Sequence, residues 1–238
     1  MERKQPSPSD WFSNFVSIKN KSGRIIRKYI SVVEQLYYED VETILDAIVE
    51  DTTHYAEARE YLFDIATEKL LYPFADVEVI KFPNIFDLTP KIFSPKYFPE
   101  DVLNTPFNEL NSKYWPFKEV SEGLFSLIVE CDPFIIADKF WDMSLIFTEI
   151  GVKLAIDNGE KPEDVEMGFD TLFEYFLVAV FAFGVNEILE TMKYSCSFAQ
   201  FVKEYDTKKK FSMTHFEALV TFIGNIDENE YHFKFGGK

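Results

Sequence analysis

The stretch FPNIFDLTPKIFSPKYFP, residues 82–99, constrains the fold of this chain more than any other, and its pattern runs on to Phe117. Proline inside a helix removes a backbone donor and clashes with the preceding turn, so repeated prolines forbid one long helix here. Aromatic side chains carry large apolar areas that demand cover. A segment with both properties is expected to lie extended against a surface. If the surface is the chain's own core, the segment is a strap. If it is a pocketed partner, Phe86, Phe93, Tyr97, Phe98, Phe107, Tyr114 and Trp115 are the candidate contact residues, since buried aromatics dominate interface energetics. A lid over an apolar pocket is the third possibility. So long a connection without regular structure is uncommon in a compact domain and is often functional.

On either side of it the apolar residues recur at helical spacing. Trp11, Phe12, Phe15 and Val16 share a face, with Ser9 or Asp10 as N-cap and Asn20 to Gly23 as the stop. Ile25–Tyr37 gives a second helix. Asp40 caps a third, with Val41, Ile44, Leu45, Ile48 and Val49 as its stripe. A fourth runs from Tyr55 to Leu71, burying Tyr61, Leu62, Ile65 and Leu70, and Pro73 stops it. ADVEVIKF, ending at Phe82, alternates and reads as a strand.

Beyond the aromatic segment, Lys118–Glu130 reads as helix. Asp132-Pro133 sets an N-cap before a first-turn proline and starts a long helix to Asp157, closed by Asn158-Gly159. Pro162, with Glu163, Asp164 and Glu166 after it, starts the next, which continues whole or broken to about Met192. Ser197-Phe-Ala-Gln200 and Thr214-His-Phe-Glu217 match the capping-box spacing. The tail alternates at Tyr231, Phe233 and Phe235, so it reads as a strand to pair with Val77–Phe82. The expected fold class is mainly α: a multi-helix globular bundle with a long Pro/aromatic-rich extended segment and a small antiparallel β-ribbon. Its regions are 1–74, helical with a basic arm; 75–117, the strand and extended segment; and 118–238, helical, all within one compact domain.

Charge narrows the partners. The net charge is −17, yet residues 1–28 hold seven basic side chains against two acidic ones, so the remainder carries −22. Such acidity repels nucleic-acid phosphates everywhere except at that N-terminal arm, and it favours basic protein surfaces. FLVAVFAFGV, Phe176 to Val185, spans about half a membrane and reads as a buried core helix. MERKQPSPSD lacks the apolar run of a signal peptide. Cys131 and Cys196 are far apart and form no CxxC, so they read as free thiols in a reducing compartment. The expectation is an intracellular chain, cytoplasmic or carried in a virion, with no membrane partner and no cofactor.

Catalytic patterns are sparse. Three histidines leave little room for histidine chemistry. Glu50, His54 and Glu57 are the candidate metal ligands, but a di-iron bundle needs Glu-x-x-His from two helices and no second copy exists. Glu42, Asp46 and Glu50, then Glu57, Glu60, Asp64 and Glu68, recur opposite the apolar stripes and form a solvated acidic face. No GxSxG, P-loop or GxGxxG is present. Glu174, beside the apolar run, would be a general acid if desolvated, although Asp170 one turn earlier places it on an exposed face. His215 reads as a cap-region residue and His232 as an exposed one.

These features point to a non-catalytic, acidic interaction or assembly protein whose partner is another protein with a basic or apolar-pocketed surface. One form is a structural or assembly component of a virus or phage particle, locked to neighbours by its aromatic arm. Another is a binding inhibitor, such as an immunity or anti-defence protein, that covers a basic target. The competing classes are a metal-dependent enzyme on Glu50, His54 and Glu57, and an apolar-ligand binder.

Overall fold

A computed structural model describes residues 21–30, 38–50, 53–69, 80–113 and 117–236. The chain divides into two compact units, Met1–Asp76 and Val77–Lys238.

The first unit holds α1 (Lys21–Ile30), α2 (Tyr38–Ile48) and α3 (Tyr55–Lys69), each packed on the other two. The expected stripe of α2 is buried at Val41, Ile44, Leu45 and Ile48, whereas Val49 lies past the helix end and is exposed. Ile26 of α1 and Ala58, Tyr61, Leu62 and Phe63 of α3 complete this core. Helix α1 runs straight through Gly23, where a stop was expected. A glycine costs a helix interior only about 1 kcal/mol, which burial of Ile26 offsets. The stretch at Trp11 to Val16, the side chain of Ile65, and Leu70 lie outside the described residues.

The second unit contains α4 (Glu100–Leu103), α5 (Phe107–Lys113), α6 (Phe117–Ile128), α7 (Pro133–Asp157), α8 (Phe169–Phe183), α9 (Glu187–Ser197), α10 (Thr207–Gly224) and α11 (Glu228–Phe235). Helix α7 starts where its cap dictates: Phe134 N–H donates to the Asp132 carboxylate at 2.8 Å and Pro133 occupies the first turn. It ends at Asp157, just before Gly159 at φ +93°. At the centre lies α8, buried without interruption from Tyr175 to Ala182 and covered by α5, α6, α7 and α10. A helix apolar all round can be stable only in such a position. Gly184, at φ +65°, closes it with a left-handed cap. The helix expected to start at Pro162 is only a 3-10 turn, Pro162–Asp164, with no buried residue to hold it; α8 begins later, after the extended Gly168.

Residues 80–113 cover this centre. They do not form one extended strand: Pro90 opens a 3-10 turn, Pro99 precedes α4 and Pro106 precedes α5. Proline is excluded from helix interiors but suits first turns, so the same residues that forbid a long helix seed short ones. Backbone N–H groups at the start of α5 are satisfied within the segment, by Phe107 to the Leu88 carbonyl and Asn108 to the Phe86 carbonyl. Four rings of the segment, Phe82, Phe86, Phe93 and Phe107, surround Phe181 of α8 with centroids 5.2, 6.0, 5.4 and 5.2 Å away. Polar ties run along its length: Phe82 N–H to the Asn186 side chain (3.1 Å), Asn84 N–H to Glu228 (2.9 Å) and Lys96 N–H to Glu174 (3.1 Å). The Asn111 amide donates to the Ala182 carbonyl at 2.6 Å.

The tail is not a strand. Glu228–Phe235 is a helix, capped by Asp227, whose carboxylate accepts from the N–H groups of Asn229 and Glu230. Glu230 with Lys234, and Tyr231 with Phe235, are pairs four residues apart that a helix brings together and a strand would not. Of its expected partner, Val77 to Val79 lie outside the described residues and Ile80–Phe82 have no regular structure, and among the described residues there is no strand. Neither capping-box match starts a helix. Ser197 ends α9, and Thr214 sits inside α10, its hydroxyl donating back to the Lys210 carbonyl; Asp206 caps α10 through Lys209 N–H.

Phe181→Ala should cost about 3–5 kcal/mol in chemical denaturation, since it strips the shared neighbour from four rings at once. In wild type, trypsin should cut slowly after Lys91 and Lys96, and in the variant at least about tenfold faster, because cleavage requires the segment to open.

Candidate functional site

The residues nominated from sequence are scattered. Phe107 is fully buried and Phe98 nearly so, Phe86 and Phe93 face Phe181, and none of these four rings stands out from its own unit. Tyr97 is held by its hydroxyl on Glu160 and by Tyr175 donating to its carbonyl. Tyr114 and Trp115 lie outside the described residues. In the first unit Asp46, Glu50, Glu57 and Glu60 are exposed and Glu42 is half-buried, while the side chains of Asp64 and Glu68 lie outside the described set. Glu50 lies past the end of α2 and His54 before the start of α3, so they share no helix face with Glu57. Among the described residues no three His, Cys, Asp or Glu side chains are grouped to hold a metal.

Glu174 is half-buried and anchors the Lys96 N–H; burial raises its pKa and that hydrogen bond opposes the rise. His232 places Nε2 2.7 Å from the Asn84 carbonyl and so fastens α11 to the strap. The Cys196 thiol is pushed up to about 12, by burial first and Glu217 second, which leaves it protonated and poorly nucleophilic.

What the structure does assemble is a groove of about 760 Å³ that no single sequence motif announces. Its floor is aromatic: Phe169 and Phe173 from the first turns of α8, Phe222 from the end of α10 and Tyr231 from α11. Phe169 and Phe173 lie parallel one helical turn apart, and Phe173 meets Phe222 edge-on at 5.6 Å. Phe93 of the strap touches both Phe222 (5.9 Å) and Tyr231 (6.3 Å), tying the floor to Phe181. Phe169 and Phe222 remain 40% and 37% exposed, so the floor is open to water. Asp170, Glu217, Asp227 and Glu230 line the walls, with no lysine, arginine or histidine among the lining residues. Asp227 is engaged as the α11 cap and Glu230 pairs with Lys234, which does not line the groove; Asp170 and Glu217 have no ion pair among the described residues. Exposed ring faces bordered by carboxylates attract cations, because ring quadrupole and carboxylate both present negative potential.

Beneath the floor lies His215, fully buried in mid-helix rather than at a helix start. Phe169 and Phe211 each lie 4.0 Å from its ring, and Nδ1 is 3.0 Å from the Phe211 carbonyl. A carbonyl only accepts, so Nδ1 carries the proton, and Nε2 is buried with no hydrogen-bond partner within 3.5 Å. Burial lowers the His215 pKa from its ordinary 6.5, against the smaller opposing pull of the Phe211 and Phe169 backbones. Sequence reasoning missed Phe169, Phe173, Phe222 and Tyr231. The only local signals were the four-residue spacings Phe169/Phe173 and Phe211/His215.

A depressed histidine pKa contributes stability above the ordinary value that is lost as pH falls through the folded one. The melting temperature should therefore drop by about 2–4 °C more in wild type than in His215→Leu between pH 7.5 and pH 5, as read by differential scanning calorimetry. An equal drop in both would show that His215 is not the group responsible.

No protein-family model, curated protein or solved structure matches the chain.

Proposed function

We propose that this is a non-catalytic interaction protein that binds a basic segment of another protein in the aromatic groove, as a charge-steered binding inhibitor would. The observation that carries the reading is a floor of partly exposed rings walled by four carboxylates and no cation, on a chain of net charge −17. A lysine or arginine side chain laid over Phe169 or Phe222 would gain ring and carboxylate contacts together, and adjacent apolar residues would fill the rest of the groove. The long-range field of the acidic chain would speed encounter with a basic partner and repel nucleic acid. The assembly-arm reading is less favoured, because the rings that would reach a neighbour are engaged with Phe181. The metal-enzyme reading lacks a converging ligand set at Glu50, His54 and Glu57.

A fluorescent amphipathic peptide alternating Lys and Phe at helical spacing is the probe. Anisotropy should show binding that weakens about tenfold or more between 50 and 300 mM salt. Asp170→Lys with Glu217→Lys should abolish it, and Phe222→Ala should weaken it about tenfold. Binding insensitive to salt and to all three substitutions would overturn the reading.

A further inference from the structure

A second hollow, separate from the groove, lies between the strap and α7. It encloses about 450 Å³, within the size range of small-molecule sites. Phe98 and Val102 form its strap side, Ile146, Phe147 and Ile150 its α7 side, and Tyr175 belongs to its lining from α8. Three of these rings pack on one another, with Phe98 4.4 Å and Phe147 5.2 Å from Tyr175. The Tyr175 hydroxyl donates to the Tyr97 carbonyl at 3.2 Å, so its oxygen keeps lone pairs to spare. Exposed charges among the lining residues are Glu119 of α6 and Glu149, Lys153 and Asp157 of α7, three carboxylates against one ammonium. Lys153 makes no ion pair with any of them within 4 Å.

The strap next to the hollow is held out of its relaxed geometry. Tyr97, immediately before Phe98, sits at φ 58° and Ser94 at φ 50°, left-handed conformations that non-glycine residues rarely adopt. Tyr97 is fixed there by two ties, its own hydroxyl on Glu160 at 3.1 Å and the Tyr175 hydroxyl on its carbonyl. The strain positions Phe98 as a wall, and such strain concentrates where a ligand must be met.

We propose that this hollow binds a small apolar amine, with an aromatic or branched body against the half-buried Pro99, Ile146 and Leu154 and its ammonium beside the Glu149 or Asp157 carboxylate. The apolar walls exclude a highly polar ligand and the carboxylate excess selects a cation over an anion. Closure by the strap on one side and α7 on the other limits the occupant to a small molecule rather than a peptide. The site is independent of the groove reading and stands or falls separately.

Phenethylamine, with 3-phenylpropionate as the anion of similar shape, is the probe, added to the full chain labelled at isoleucine and leucine methyl groups. The amine should give saturable shifts at Ile146, Ile150 and Leu154, with the carboxylate at least tenfold weaker. Ile146→Trp, at a half-buried wall position, should abolish the shifts by filling the space. Glu149→Gln with Asp157→Asn should bring amine and carboxylate to within threefold of each other, a test that stands even if the tryptophan variant fails to fold. Phe222→Ala should leave the shifts unchanged. No saturable shift, equal affinity for both probes in wild type, or shifts lost in Phe222→Ala would each overturn the proposal.

Discussion

The second unit depends on covering one ring, Phe181. It sits near the end of a helix buried from Tyr175 to Ala182, and Phe82, Phe86, Phe93 and Phe107 close around it. Edge-on and tilted contacts at these separations add specificity to simple area burial, because ring edges and faces attract. The same cluster fixes where the chain can turn. Gly184 ends α8 against the Phe86 ring, where a Cβ would stand 3.3 Å away in a backbone conformation that already disfavours one. From Phe93 the packing continues to Phe222 and Tyr231, so the solvent-facing floor of the groove is the outer layer of the same aromatic core.

The acidity of the chain gains a spatial meaning from this arrangement. Carboxylates border both hollows, and the lone lysine among the lining residues of either is Lys153. Charged walls keep partly exposed rings soluble, since apolar patches without a polar border promote association. They also disfavour an anion, which would meet like charge at either mouth. The cost is mutual repulsion among carboxylates, moderated locally by pairs such as Glu230 with Lys234 and Lys139 with Glu130.

Much of the helical layout was legible in the sequence where a physical stop or start signal coincided with a stripe. Asp132-Pro133 located α7 and Gly159 ended it, and four of the five stripe residues of α2, all but Val49, were buried as their spacing required. Errors arose where two patterns fit the same residues. Tyr231, Phe233 and Phe235 alternate as in a strand, but Asp227, Glu230 and Lys234 supply a cap and an ion pair that favour a helix, and Phe233 is left 90% exposed. Thr214 and Glu217 have capping-box spacing yet lie mid-helix, so His215, read as a cap-region residue, is a core one. The groove was not legible at all. Its rings come from three elements spanning Phe169 to Tyr231, and only tertiary packing brings them side by side.

The strap precedes in the chain nearly everything it touches. Phe82 waits for Asn186, 104 residues later, and Asn84 for Glu228 and His232, 144 and 148 residues later. During synthesis its phenylalanines leave the ribosome well before the ring they will enclose, with only one another as local partners, as in the Phe82–Phe86 and Phe93–Phe107 pairs. Contacts this remote slow folding, and uncovered apolar surface invites association in the interval. The short turns seeded by Pro90, Pro99 and Pro106 give the waiting segment local structure of its own. The prolines that shape the finished strap thus also shorten the search by which it finds its place.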